Sequence, residues 1–278
     1  MSLYIASLNS GSNGNCYYIG NHREAVLIDA GICCRETEKR LSRLGLSFKK
    51  IRAVFISHEH TDHTYGVEVI SRRYGLPVYI SAVTHENSRL KLEENLVKPL
   101  IADAPVMIGE LVINSFLKLH DASDPHSFTV SGGGITVGVF TDMGAACTNL
   151  IRHFSQCHAA FLEANYDEVM LEEGRYPRFL KNRIQGDHGH LSNLQALELF
   201  TSHRPPFMSH LLLSHLSQDN NNPQLVRDLF LQHAGGTNIA IASRHEESAV
   251  YCISGPDPGD YPRDAMAPAV FPTQMSLF

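Results

Sequence analysis

The stretch Ser57-His58-Glu59-His60-Thr61-Asp62-His63 follows directly on the apolar run Ala53-Val54-Phe55-Ile56. Few features restrict a fold so narrowly. The pattern calls for a buried strand ending at Ile56, a short turn carrying the polar groups, and a helix with Val67, Ile70 and Tyr74 on one face. Such a turn lets His58 and His60 converge on one cation while Asp62 and His63 point at a second. Neutral imidazole nitrogens and a carboxylate suit zinc, and manganese and iron are also compatible. The alternative is a polar helix-capping turn with exposed histidines, and so dense a set of ligand types gives it little support.

The 278 residues, 43% hydrophobic, suffice for a sizeable core. The N-terminus has no basic segment followed by an apolar stretch, and no run is long enough to cross a bilayer, so a soluble, non-exported, cytoplasmic protein is expected. Six cysteines show no CxxC pair and no disulfide spacing, which points to reduced packing thiols. A net charge of −6 argues against a generally basic nucleic-acid binder, although a local patch or bound metals can still attract phosphate.

Short strands are expected at Leu3 to Leu8, Cys16 to Ile19 and Ala25 to Ile28, paired antiparallel, with Gly20-Asn21-His22 as a hairpin signal. The polar loop Asn9 to Asn15 is either a long turn or a backbone-rich surface facing an anion. Asp29 stands at a strand end beside a glycine turn. Amphipathic helix is expected at Arg35 to Leu44, Tyr65 to Tyr74 and around Val83 to Leu92, and strand at Ile51 to Ile56 and Val78 to Ile80. A strand from Leu111 to Leu119 delivers His120, with His126 as the nearby competitor. The hairpin Phe128 to Ser131 and Ile135 to Phe140 delivers Asp142, whose two carboxylate oxygens can bridge two cations or cap the helix near Ala146 to Phe154.

Ala159 to Leu162 reads as another buried strand. The run Arg175 to Arg183 packs four cations among aromatics; it is a solvated face or the approach path of a polyanion. Ser192 or Asn193 caps a helix running to about Thr201, so His190 lies just ahead of a helix N-terminus, where phosphate is favoured. The strand Leu211 to Ser214 ends at His215. A helix from Pro223 to His233 and strands at Ile239 to Ala242 and Ala249 to Ile253 complete a domain over residues 1–254. Residues 255–278 are proline-rich and aperiodic, an extended or disordered tail.

His58, His60, Asp62 and His63 fill every position of a pattern that resembles the HxHxDH signature of metallo-β-lactamase-fold hydrolases. That likeness implies an α/β protein, an αββα four-layer sandwich. It also implies that His58, His60 and His120 hold one divalent metal, that Asp62, His63 and His215 hold the other, that Asp142 bridges them, and that Asp29 braces the metal loop. Ser10 to Asn15, Glu163-Ala164-Asn165-Tyr166-Asp167, Gly189-His190-Leu191-Ser192-Asn193 and Ser214-His215-Leu216-Ser217 carry a closer likeness to the YycJ-type branch, also called WalJ. This implies a metal-dependent nuclease with 5′→3′ DNA exonuclease activity and a setting in DNA repair. Two divalent cations, Zn2+ or Mn2+ with Fe also compatible, would lower the pKa of a shared water and neutralise phosphoryl charge.

Asp62 and His190 are the expected catalytic groups, His190 as proton donor or phosphate clamp and His188 as its less favoured alternative. The chain ends in Gln274-Met275-Ser276-Leu277-Phe278, which resembles the bacterial sliding-clamp-binding pentapeptide with Met at its second position. DNA and the clamp are therefore the expected partners. The competing functions are a phosphodiesterase for small or cyclic phosphate esters, and a non-catalytic clamp-bound adaptor.

Overall fold

The computed structural model describes residues 2–255; the proline-rich tail and its terminal pentapeptide lie outside the described residues. Two seven-stranded sheets face one another. The first contains β1 (Ser2–Asn9), β2 (Cys16–Gly20), β3 (Ala25–Ile28), β4 (Ile51–Phe55), β5 (Val78–Ile80) and β6 (Val97–Pro99), with β14 (Tyr251–Ser254) beside β1. The second runs in the order β13 (Asn238–Ile241), β12 (His210–Ser214), β11 (Ala159–Glu163), β10 (Ile135–Phe140), β9 (His126–Gly132), β8 (Leu111–Leu117), β7 (Val106–Ile108).

Alternation along the strands builds three cores. Leu3, Ile5, Tyr17, Ile19, Val26 and Ile28 face inward, against Ile113, Phe128, Val130, Val137 and Phe161 of the other sheet. Cys16, Tyr18, Ala25 and Leu27 turn outward with Leu41 of α1 (Cys34–Arg43) and with Val67 and Ile70 of α3 (Val67–Tyr74). On the opposite side Ala160, Leu162, Leu211 and Leu213 pack against α5 (Thr148–Phe154), α8 (Asn193–His203) and α9 (Pro223–Leu231). The result is the expected four-layer αββα sandwich. Both faces of these strands are buried, which is why they read as near-continuous apolar runs.

The antiparallel pairing of β1, β2 and β3 is as expected. Several boundaries differ. The helix expected over Tyr65–Tyr74 starts at Val67 as α3, behind Gly66, and a separate short helix, α2 (Thr61–Thr64), carries Asp62 and His63. The helix expected to reach Leu92 is α4 (Ala82–Ser88), stopped by Arg89 at φ 57°. β6 and β7 are three residues each, too short to show periodicity. The Arg175 to Arg183 region is not an open charged track: α6 (Glu168–Glu173) and α7 (Arg178–Gln185) fold it back. Arg178 pairs with Glu172, Arg183 pairs with Asp121, and Lys181 is buried on the Glu172 carbonyl.

Strands β3 and β4 are parallel, as are β10 through β13. Their carboxyl ends therefore open along one edge of the sandwich, where open α/β sheets place ligands. Asp29, His58 to His63, Asp142, Glu163 and His215 all follow those ends. No helix among the described residues is long and apolar enough to cross a membrane.

Candidate metal centre

Every sequence-expected ligand lies at that edge. Donor atoms of His58, His60 and His120 fall within 4.8 Å of one another, and so do those of Asp62, His63 and His215. Asp142 joins both sets. Its Oδ2 is 3.1 Å from His63 Nε2 and its Oδ1 is 3.5 Å from His215 Nδ1 and 3.8 Å from His120 Nε2. α5 is instead capped at Cys147, so Asp142 is not a helix cap. His126 begins β9, is buried and bonds the Asp124 carbonyl, outside these clusters. His188 is exposed.

The ring nitrogen of each inner histidine that faces away from the centre is held by the chain. His63 Nδ1 meets Asp29 Oδ2 at 2.7 Å, His58 Nδ1 meets Ser57 Oγ at 2.9 Å, His120 Nδ1 meets the Gly189 carbonyl at 3.2 Å, and His215 Nδ1 meets Glu163 Oε1 at 2.9 Å. Such contacts fix tautomer and ring direction and leave the other nitrogen for a metal. Asp29 also takes the Ser57 amide and hydroxyl, each at 2.8 Å, so it braces the whole turn. The backbone packs closely beneath it: a Cβ on Gly31 would sit 1.6 Å from the Asp62 carbonyl oxygen.

His120 Nε2, His215 Nε2 and Asp142 Oδ2 are buried and make no hydrogen bond among the described residues; the His63–Asp142 approach lacks hydrogen-bond geometry. Orphaned buried polar atoms are costly, and divalent cations are the group that would satisfy these three together. The all-N/O donor set fits zinc or manganese. Backbone strain concentrates at the same place. Asp29, Asp142 and His215 have φ of 59°, 55° and 55°, a left-handed conformation uncommon outside glycine and most tolerable for Asp, Asn and His.

Charge is distributed to match. Burial pulls the His63 imidazole down, but Asp142, Asp29 and Asp62 outweigh it and hold the group well above its ordinary value. For His215 burial is likewise overcome by Asp142, Asp62 and Glu163, which push it up to about 10. Burial, helped by the Lys118 charge, brings His120 down to about 4 against Asp142 and drives His58 down as well. Asp142 resists burial through His215 and His63 and stays well below the carboxylate range. A cation taking up the nitrogens of His63 and His215 would compete with protons there, which would link metal uptake to proton release.

Three participants were not assigned from sequence. Glu163 is fully buried; its Oε1 accepts from both His190 Nδ1 (2.8 Å) and His215 Nδ1, while its Oε2 accepts the Met143 and Leu191 amides. Burial works against its charge, but His190 and His215 bring its pKa down to about 2. Lys118, buried, pins the Thr141 carbonyl next to Asp142 at 2.7 Å. Asn15 places its amide 3.1 Å from His63 Nε2 and 3.2 Å from Asp62 Oδ2, so the Asn9 to Asn15 loop braces the cluster at its C-terminal end. The signal for Glu163 was available: like Asp29, it is a carboxylate closing an apolar strand.

Residues 10–140 match the metallo-beta-lactamase superfamily. Over 232 residues the chain is 31% identical to exodeoxyribonuclease YycJ of Bacillus anthracis, covering 82% of this chain and 87% of that protein. The chain belongs to the metallo-β-lactamase superfamily, in its YycJ-type branch. Exodeoxyribonuclease WalJ of Streptococcus pneumoniae is 30% identical over 239 residues, 84% of this chain and 89% of its own. The metallo-β-lactamase-fold protein YhfI from Bacillus subtilis superposes with a TM-score of 0.69 at 16% identity, covering 91% of this chain and 100% of that one, a likeness of fold alone. The expected metal-dependent hydrolase of this superfamily stands.

His190 sits on the solvent side of the cluster, its side chain 22% exposed, with its ring centroid 5.4 Å from that of His120 and 5.3 Å from that of His215. Next to it opens a cavity of about 230 Å3. A larger cavity of about 660 Å3, lined by Leu41, Phe48 and Tyr74, lies apart from the clustered histidines and carboxylates.

Proposed function

We propose that this chain is a dinuclear-metal phosphodiesterase that degrades DNA as a 5′→3′ exonuclease. His58, His60 and His120 would hold one divalent cation, Asp62, His63 and His215 the other, with Asp142 between them. The orphaned His120, His215 and Asp142 atoms carry the metal assignment. The substrate class rests on the YycJ and WalJ relatives, which are exodeoxyribonucleases. When bound, such cations supply an activated water and neutralise charge on the phosphoryl oxygens.

The chain's own groups do the rest. Asp62, still partly open to solvent, orients the attacking water as well as holding a cation. Glu163 fixes His190 through Nδ1, which leaves Nε2 as the atom that can face substrate. A proton delivered from His190 Nε2 to the leaving alkoxide completes the cleavage, and the buried Glu163 carboxylate stabilises the imidazolium before transfer. The terminal Gln274 to Phe278 would tether the enzyme to the replication clamp, raising its local concentration at DNA despite a net charge of −6.

The test is degradation of 5′-labelled DNA by metal-defined protein, beside bis(p-nitrophenyl) phosphate and cyclic nucleotides, with Asp142→Asn as control. Processive loss of 5′ label is expected. Hydrolysis confined to the small esters would replace the nuclease reading with a small-ester phosphodiesterase. Absence of any turnover, with clamp binding retained, would leave an adaptor.

A further inference from the structure

We propose that the cavity beside His190 is a pocket for the 5′-terminal nucleoside of the strand, and that Tyr176 is the platform on which its base stacks. The proposal rests on the DNA exonuclease reading above. It makes the pocket, rather than the metal cluster, the element that restricts cleavage to an end.

The cavity shares His190 and His215 with the metal cluster, so whatever fills it lies directly against the reacting phosphate. One wall is apolar and comes from the fold-back of α7: Tyr176 ahead of the helix, then Leu180 and Ile184 one turn apart. The other lining groups are polar or charged, with Ser12, Asn165, Ser217 and the Arg183–Asp121 pair. Ser217 Oγ accepts the Asn220 amide at 3.2 Å, which fixes its place in the lining. One apolar flat face and one hydrogen-bonding edge is the pairing that unstacked bases meet in single-strand binding sites.

Tyr176 is set for this use. Its hydroxyl donates to Asp219 Oδ2 at 2.9 Å, fixing the ring from outside, and it is half-buried at the cavity wall. The helix behind it is anchored at two points. Lys181 is buried on the Glu172 carbonyl, and Arg183 Nε bonds Asp121 Oδ2 at 2.6 Å, one residue from His120. A Cβ at Gly189 would lie 2.2 Å from the Ile184 carbonyl, so α7 is also packed tightly against the His190 segment.

The volume sets the limit. About 230 Å3 is below the usual range for drug-sized ligands, which suits one nucleoside and excludes two. An internal nucleotide would have to splay its base out of the strand to enter, whereas a terminal one has a neighbour on one side only, so the pocket favours an end. Endonucleolytic entry is therefore disfavoured by shape.

The experiment uses full-length, metal-loaded protein and single strands carrying 2-aminopurine at the 5′ end, at the 3′ end or internally, linked by phosphorothioates so that binding is read without turnover. Binding should quench the 5′-terminal probe and leave the other two little changed. Tyr176→Phe should retain the quench, whereas Tyr176→Ala should lose it and bind DNA roughly tenfold more weakly. Leu180→Trp, which fills the cavity from the helix side, should abolish it independently of any folding defect in Tyr176→Ala. Equal signals from terminal and internal probes, a signal at the 3′ end alone, or an unaltered 5′ signal in both Tyr176→Ala and Leu180→Trp would overturn the pocket. Degradation of the ordinary phosphodiester strand by the wild type separates the two readings. If it proceeds without the terminal signature, the pocket alone falls; if it does not occur, the DNA reading falls first.

Discussion

The two halves of the metal cluster reach the same geometry by different routes. The half on the first sheet is written almost contiguously, as His58, His60, Asp62 and His63 on one turn, with Asp29 beneath as its hub. The half on the second sheet collects His120, Asp142, His190 and His215 from separate strand ends and loops, with Glu163 as hub. Each hub is a fully buried carboxylate that closes an apolar strand. Asp29 braces only a ligand turn, whereas Glu163 also holds His190. On the proposed mechanism one hub would serve metal retention, and the other both retention and proton delivery.

The sharpest attack on that comparison is at the residue belonging to both halves. Asp142→Ala should lower kcat on DNA by at least about 1,000-fold and reduce bound metal, measured by elemental analysis beside turnover. His190→Ala should cut kcat by about 100-fold or more with metal content unchanged; unchanged turnover would remove His190 from the mechanism. Glu163→Gln should lose roughly 10- to 100-fold in activity, and excess metal should fail to restore it, because His190 has lost its anchor. Asp29→Asn should weaken metal affinity over the same range of about 10- to 100-fold, with kcat returning at saturating metal. Equal rescue of both hub variants would erase the difference between the halves. The smallest effect on chemistry belongs to deletion of Gln274 to Phe278. Turnover on free DNA should stay within about twofold, since the tail acts by local concentration, while binding to purified clamp is lost.

The contiguous half was legible because its ligands share one turn, where spacing alone carries the geometry. Strand runs buried on both faces, such as Val26 to Ile28 and Leu211 to Leu213, were legible for the same local reason. His120, Asp142 and His215 could be assigned only through likeness to a family, since their convergence depends on which strands neighbour one another. Glu163 carried the same strand-end signal as Asp29, but that signal alone names no role, because a carboxylate there looks alike whether it faces solvent or two imidazoles. The Arg175 to Arg183 segment was legible in charge but not in pairing. Glu172 and Asp121, which neutralise Arg178 and Arg183, are brought to it by folding.

The left-handed backbone at Asp29, Asp142 and His215 sets local ease against the site. Each of these positions departs from the ordinary backbone conformations of non-glycine residues at a cost of about 1–2 kcal/mol, and glycine would relieve it. The substitutions that most easily ease the backbone are therefore the ones that delete a bridging carboxylate, a brace and a terminal imidazole. Local backbone relief and the polar cluster therefore compete at these three positions, and in this chain side chains that face the cluster occupy all three.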